Sequence, residues 1–478
     1  MRLKIPLLSV GLAMACLGPP TDLAAQIISG GGKHCLSVCS DSTVQAWGYN
    51  LYGQLGNDDN DDSNVPVSVG SLTGVIAVEG GGIGHSLALK SDSTVWAWGL
   101  NLFGQLGDGS TTSRDVPVLV DQLNGIVSIT GGGGAHHSLA LRADGTVWSW
   151  GYNEFGQLGN GTNVDSHIPV PVGSLSDVKA VSAGAFHSLA LKDDGTVWAW
   201  GYNAQGQLGN GLEGFENNSI LPVPVSILTD VIAIEGGQLQ SIALTNDGFV
   251  WAWGNNFYGQ LGNGTNTNSN VPVLIGSIEN ITAIAAGRSC FFALKSDGTV
   301  WAWGNNIYGT LGDGTTVDRN VPVQVAGLPN IIAISGGWTH SLALDDNGTI
   351  WTWGQNEHGG LGNGTNNDSS LPVQVVGACA PLLISVGEAT DTSSLLSVHP
   401  NPADQSATVS ISLAHSQAVS VSLLDAQNKW VRTIVKGKVA GGAHEYVISL
   451  AGIPEGVYYC RVRTEDGSLG KKLLVIRQ

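Results

Sequence analysis

The chain has 478 residues, 42% hydrophobic and only 12% charged, with 68 Gly and 15 Trp. That much Trp with so little charge excludes a disordered chain, and two Met with few Glu and Lys argue against a helical one. A formal charge of -18 repels nucleic acid and anionic lipid, which leaves a large, acidic, glycine-rich β protein.

Residues 1–25 read as an export signal. Arg2 and Lys4 open it, residues 5–17 are mostly apolar, and Pro19-Pro20 break the run before Leu23-Ala24-Ala25. The run is shorter than the roughly 20 residues of a membrane span, and no later stretch is long and apolar enough to cross a bilayer. Cleavage after Ala25 would expose Gln26, a residue able to cyclise. Cys16 after Ala15 offers a lipid-anchored alternative, weakened by Ala13 where a Leu is usual.

Charge divides the rest of the chain. Residues 26–394 hold 9 basic and 31 acidic side chains, whereas residues 395–478 hold 9 basic and 6 acidic ones. The split coincides with a change of texture, so residues 26–379 form one domain, 380–394 a polar linker and 395–478 a second domain.

The first domain is a repeat. Trp-Gly recurs with its Trp at 47, 98, 150, 200, 253, 303 and 353, giving seven units of about 50 residues. Each unit opens on a β-branched run ending in Gly-Gly and continues with His-Ser-Leu-Ala-Leu and Asp-Gly, as at His187 to Leu191 and Asp194-Gly195. Thr-Val-Trp-Ala-Trp-Gly and a Pro-Val-x-Val segment complete it. These are four short strands with no helical period between them. Four antiparallel strands per unit make a propeller blade, so the expected fold is all-β, a seven-bladed propeller. The first strand copy, Ile27-Ile28-Ser29, starts right after the proposed cleavage site, and no copy follows Val375. We therefore expect each blade to borrow its last strand from the next unit, with residues 27–29 completing the seventh and sealing the ring. Trp96/Trp98 and their equivalents alternate with a small residue, which puts both indoles on one face of a strand as the blade-to-blade packing device. Gln45 replaces the first Trp of the first unit.

Gly-Gly-x-x-His-Ser-Leu-Ala-Leu, Asp-Gly-x-Val-Trp-x-Trp-Gly-x-Asn and Gly-Gln-Leu-Gly resemble the repeats of the regulator of chromosome condensation family over all seven units. The resemblance implies a seven-bladed propeller used mainly as a protein-binding platform. The family's nuclear founder exchanges nucleotide on a small GTPase and binds chromatin. Here the export signal, the acidic charge and the want of a long wedge-like insertion argue against guanine nucleotide exchange. The largest excess is a few residues around 212–219. Secreted bacterial propellers of similar repeat, including inhibitors of β-lactamases, are the nearer analogy.

In the tail, Pro400-Asn401-Pro402 precedes alternating strands at 407–413 and 418–424, a turn at 425–428, a strand opened by Gly456-Val457-Tyr458, and a terminal Lys471-Lys472-Leu473-Leu474-Val475. This resembles the C-terminal sorting domain of type IX secretion cargo, expected to be a small β-sandwich. The resemblance implies that residues 395–478 engage the type IX machinery, with Pro400, Asn401, Pro402, Gly456, Tyr458, Lys471 and Lys472 carrying the signal. It also implies a location outside a Gram-negative outer membrane. Asn428 stands where that family usually has Gly, a mild departure because Asn also tolerates a left-handed turn.

Five His stand at equivalent places (His34, His85, His137, His187 and His340), with Gln240 and Cys290 in the other two units. Rotational symmetry gives each blade one copy, so they cannot gather on one ion, and a hydrogen-bonded packing role is expected. Asp58, Asp59, Asp61 and Asp62 crowd one loop but match no calcium loop. No phosphate loop, nucleophile elbow or metalloprotease motif is present, and no catalytic residue, metal ligand or cofactor is assigned. Five Cys remain after processing, and ring closure could bring Cys379 to Cys35 or Cys39.

The expected function is a secreted or surface-displayed, non-catalytic scaffold that binds a protein or glycan. The alternative is a secreted polysaccharide-degrading enzyme, which near-uniform blades disfavour. Five residues after each repeat Trp stand Tyr52, Phe103, Phe155, Gln205, Tyr258, Tyr308 and His358. One turn per blade places them on one face, so Tyr52, Phe103, Phe155, Tyr258 and Tyr308 are candidate partner anchors. They could instead fold back on the Leu of their own turns.

Overall fold

In the computed structural model, residues 26–382 are described except 83, 133–135 and 174, together with tail segments 396–399, 405–413, 416–425, 430–454, 456–464 and 467–475. The proposed export signal, residues 383–395, and Pro400, Asn401 and Pro402 lie outside the described residues.

Seven four-stranded antiparallel sheets follow one another along the chain. Blade 1 is Ile28–Gly30, His34–Val38, Val44–Gly48 and Ser63–Ser68, in that order from the inside outward. Blade 7 is Ile331–Gly336, His340–Asp345, Ile350–Gly354 and Ser369–Gln374. The innermost strands of successive blades touch around a central bore, and Ile28–Gly30 meets both Val75–Gly80 and Ile331–Gly336.

Each blade is self-contained, so the expected sharing of strands between units does not occur. Ile28 pairs with Ser37 and Gly30 with Cys35 in the first unit's own second strand. The reason is the short Gly-Gly hairpin: Gly31 N donates to His34 O at 2.9 Å and Gly81 N to His85 O at 2.7 Å. A turn that tight leaves the inner strand no other neighbour. Glycine is required there because a Cβ on Gly31, Gly81 or Gly184 would fall 2.0–2.2 Å from the ring of the unit's own His.

The ring is closed by a strap instead. Residues 378–382 leave blade 7 and run onto blade 1, where Ser40 N donates to Ala380 O and Leu382 N to Val38 O, both at 2.8 Å. Cys39 and Cys379 form a disulfide across this seam. Gln45 owes its place to the strap: its Oε1 accepts Cys379 N at 2.7 Å, where other blades carry an indole.

Outer edges are blunted by proline. Pro66, Pro117, Pro169, Pro222, Pro272, Pro322 and Pro372 each lie in the outermost strand of a blade, where a missing N–H disables pairing with another chain. The second Trp of each pair is fully buried, and its neighbouring small residue faces the next blade, as Ala97 does in packing with Trp150. The first Trp is half-buried, and in four blades a cation lies over it, for instance Arg142 at 4.8 Å from Trp148, whereas Trp351 donates to Asp345 Oδ2 at 3.0 Å.

The tail folds as two facing sheets. Leu396–His399, Ser406–Leu413 and Gly442–Ser449 form one; Trp430–Val439, Gln417–Asp425, Gly456–Thr464 and Gly467–Val475 form the other. Val409, Ile411 and Ile448 from the first pack with Val421, Leu423 and Val462 from the second. Tyr458 is buried and its hydroxyl donates to Pro454 O at 3.0 Å. Gly456 opens the third strand of that sheet, and Lys471 and Lys472 lie on the last, opposite Cys460 and Tyr459.

Candidate binding face

Two loops per blade reach the same end of the propeller: the Gly-Gly hairpin and the long segment after Trp-Gly. They meet because Tyr152 N donates to His136 O and Tyr202 N to Phe186 O. Each long loop is built around one buried Asn. In blade 3, Asn153 Oδ1 accepts Leu158 N at 2.9 Å, while its Nδ2 donates to Thr162 O and Val164 O at 3.0 Å. Its backbone N–H is capped by Asp165 Oδ1 at 2.7 Å. Asn50, Asn101, Asn203, Asn256, Asn306 and Asn356 repeat the arrangement, all buried. The sequence signal for this pillar is the Asn of Trp-Gly-x-Asn.

The acidic loop of blade 1 obeys the same rule. Asp62 Oδ1 caps Asn50 N at 2.8 Å, and Asp59 Oδ1 accepts Asn50 Nδ2 at 2.9 Å. Asp62 Oδ2 also meets His358 Nδ1 of blade 7 at 2.7 Å. Two of the four carboxylates thus hold the loop itself.

The His column latches neighbouring blades. His34, His85, His137 and His187 Nε2 lie 2.8–3.2 Å from the hydroxyls of Ser86, Ser138, Ser188 and Ser241 in the following blade. Each Ser in turn donates to a carbonyl of the preceding blade's Gly-Gln-Leu-Gly turn, which also accepts the buried indole, as Gln54 O does from Ser86 and Trp98. Burial pushes these four imidazoles down to about 3 and His340 to about 4, so they stay neutral. After Gln240 the next blade has Phe291 at the position of that Ser, and Gln240 Nε2 donates to Arg288 O instead, at 2.9 Å. The bore, about 70 Å³, is ringed by a second set of interblade bonds, Ser29 to Glu79 and Ser182 to Glu235 among them.

Tyr52, Phe103, Phe155 and Tyr258 are half-buried and Tyr308 is 37% exposed. Tyr52 meets Tyr49 and Tyr258 meets Phe257 within their own loops, whereas two of the rings reach the next blade. Phe103 leans on Tyr152 of the next blade at 4.7 Å, and Phe155 on Tyr202 at 4.8 Å. With His136, Phe186 and Phe215 they make an arc of touching rings across blades 2 to 4. The more exposed apolar residues stand one position earlier: Leu51 (56%), Leu102 (63%), Phe257 (71%) and Ile307 (62%). Sequence reasoning passed over these and over Tyr152, Phe186 and Tyr202, although each immediately flanks a motif residue. Among the described residues, no three His, Cys, Asp or Glu are grouped to hold a metal ion.

Comparison with known proteins agrees with this architecture. The Regulator of chromosome condensation (RCC1) repeat matches seven segments from 41–89 to 347–387, and the Secretion system C-terminal sorting domain matches 397–476. Human E3 ubiquitin-protein ligase HERC2 is 33% identical over 243 residues, half of this chain but 5% of the ligase. The Ultraviolet-B receptor UVR8 of Arabidopsis thaliana is 32% identical over 240 residues, half of this chain and 43% of the receptor. The chain thus spans less than half the length of either relative. Among solved structures, Prp20p of Saccharomyces cerevisiae superposes with a TM-score of 0.63 at 23% identity, covering 75% of this chain and 89% of that one. Human WBSCR16 gives 0.60 at 26%, covering 66% and 86%. The sorting domain implies secretion or attachment at the outer-membrane surface through the type IX machinery. By its seven matching repeats, the chain belongs to the regulator of chromosome condensation repeat family.

Proposed function

We propose that this protein is an exported, non-catalytic scaffold that binds a macromolecule on the loop face of its propeller. In this reading residues 1–25 direct export, 26–379 with the strap to 382 form the binding domain, the rest of 380–394 links, and 395–478 deliver the chain to the type IX machinery. The observation that carries it is the row of exposed apolar side chains, Leu51, Leu102, Phe257 and Ile307, at one loop position of four blades. Water-exposed apolar groups held at fixed spacing by buried Asn pillars are what a rigid docking surface provides. The half-buried rings of Tyr52, Phe103, Phe155 and Tyr258, with the exposed Tyr308, form the shelf behind them. The loop carboxylates Asp62, Asp165, Asp318 and Asp368 cap backbone N–H groups, which commits them to structure rather than to acid–base chemistry.

A photo-crosslinking residue at Leu102 or Phe257, compared with one at Asp193 on the opposite end, tests this on the cell surface. A discrete adduct from the first two positions and none from the third is expected. Turnover of a polysaccharide by the purified protein would overturn the non-catalytic reading.

A further inference from the structure

We infer that the sector of the loop face over blades 3 to 5 docks a cationic protein surface. Lys or Arg side chains of the partner lie beside Glu154, Glu213 and Glu216, and its apolar neighbours cover Leu212, Phe215 and Phe257. The inference rests on the binding-face reading above and adds the chemistry of the partner.

The repeat symmetry is broken in this sector. The residue capping Asn203 N is 15 positions on, Asn218, whereas in blades 3 and 5 the cap is 12 positions on. The extra length forms a one-turn helix, Phe215–Asn217, that lifts Leu212 (52% exposed) and Phe215 (67% exposed) clear of the face. Phe215 stays oriented by an edge contact with Tyr202 at 5.4 Å.

Charge supplies the second argument. No Lys or Arg occurs between Lys192 and Arg288, or between Arg142 and Lys179. Arg142 and Lys192 end the second strands of their blades, and Lys179 lies near the start of an inner strand, so all three sit at the opposite end. The long loops of blades 3, 4 and 5 therefore carry no Lys or Arg while presenting Glu154, Glu213 and Glu216 to solvent, and Arg288 of the adjoining blade 6 hairpin is held by Gln238 at 3.0 Å and over Trp338 at 4.7 Å. Such a field repels polyanions and speeds encounter with a basic partner.

Ring geometry separates a protein from a glycan. Tyr152–Phe155, Phe155–Phe186 and Tyr202–Phe215 meet at 84°, 83° and 73°. On this face only His136 and Phe186 lie near parallel, at 23°, and one such half-buried pair among inclined rings makes no flat platform for a run of sugars. The inclined rings leave clefts and single ring faces, which suit individual side chains, Arg and Lys above all.

The test uses the full chain and fluorescence anisotropy with three probes: a peptide of alternating Lys and Leu, its Glu-for-Lys counterpart, and cellohexaose. Only the Lys peptide should bind, and more weakly at about 300 mM than at about 50 mM salt. The pairs Leu212→Ser with Phe215→Ser, and Glu213→Gln with Glu216→Gln, should each weaken it roughly tenfold or more. Asp193→Asn with Glu279→Gln removes the same charge from the opposite end and should change affinity less than about twofold. No binding of the Lys peptide, or an equal loss in the opposite-end pair, overturns the proposal. Binding of the Glu peptide or cellohexaose that the Leu212/Phe215 pair abolishes also overturns it, yet leaves the binding-face reading standing.

Discussion

His340 Nε2 lies 3.0 Å from Cys35 Sγ across the joint between the last blade and the first. Cys35 occupies the place that Ser86, Ser138, Ser188 and Ser241 hold elsewhere, and its thiol donates to Gly360 O at 3.2 Å as those hydroxyls donate to a Gln carbonyl. Burial raises the thiol well above its ordinary range, so it acts as a neutral hydrogen-bond relay and not as a nucleophile. Cys35→Ser should therefore keep stability within about 1 kcal/mol in urea unfolding. Cys35→Val leaves His340 without its partner and should cost about 1–3 kcal/mol.

The strap predicts a second outcome. The Cys39–Cys379 bond joins residues 340 apart in sequence, and constraint of the unfolded chain grows with loop length. Replacing both by Ser should lower stability by about 2–5 kcal/mol. Hydrogen exchange should rise first at residues 27–48 and 378–382, because the strap bridges this joint and four of the other six keep a His–Ser latch. Uniform destabilisation of all seven blades would contradict the seam.

Acid should open the ring. His34, His85, His137 and His187 titrate near 3 in the fold and near 6.5 when unfolded, so below 6.5 the unfolded chain binds protons that the folded chain refuses. Their stabilising contribution is present above pH 6.5 and is lost as pH falls from there toward 3, with His340 following toward 4. Thermal melts across that window should show a steep fall in Tm. Substituting Gln at His85 and His137 should flatten the slope even if it lowers Tm at neutral pH.

Loop pillars should be costlier to remove than any rim side chain. Asn153→Ala deletes the acceptor for Leu158 N and the donors to Thr162 O and Val164 O within a buried site. A loss of about 2–4 kcal/mol is expected in denaturant unfolding, against under about 0.5 kcal/mol for Leu102→Ser.

Blade 7 carries a notch. Gly360 stands where Gln54, Gln105, Gln157 and Gln207 stand elsewhere, and a cavity of about 10 Å³ lies there between Lys33, His340 and Gln355. A Cβ on Gly360 would find its nearest atom, Lys33 O, at 3.5 Å, an ordinary contact. Gly360→Gln should raise stability by about 0.5–1 kcal/mol, through filled space and a less flexible unfolded chain. A drop in Tm would mean that the notch is required.

What was legible in the sequence was local and periodic. The Trp-Gly spacing counts the blades, and alternation in Val-Trp-Ala-Trp-Gly fixes which side each residue faces, because strand geometry has a period of two. The His column was readable as packing, since one copy per blade cannot converge on an ion. Relations created only by closing the ring were not legible. Strand membership turned on a hairpin too short to let Ile28–Gly30 leave its own blade, and the choice of Cys39 over Cys35 on where the strap met blade 1. How far each turn residue is exposed was hidden for the same reason: Phe103 and Phe155 are half-covered by Tyr152 and Tyr202 of the next blade, while Leu102, one position earlier, is 63% exposed. Exposure depends on contacts about 50 residues away in sequence and at the seam more than 300 away, and a periodic sequence does not record them.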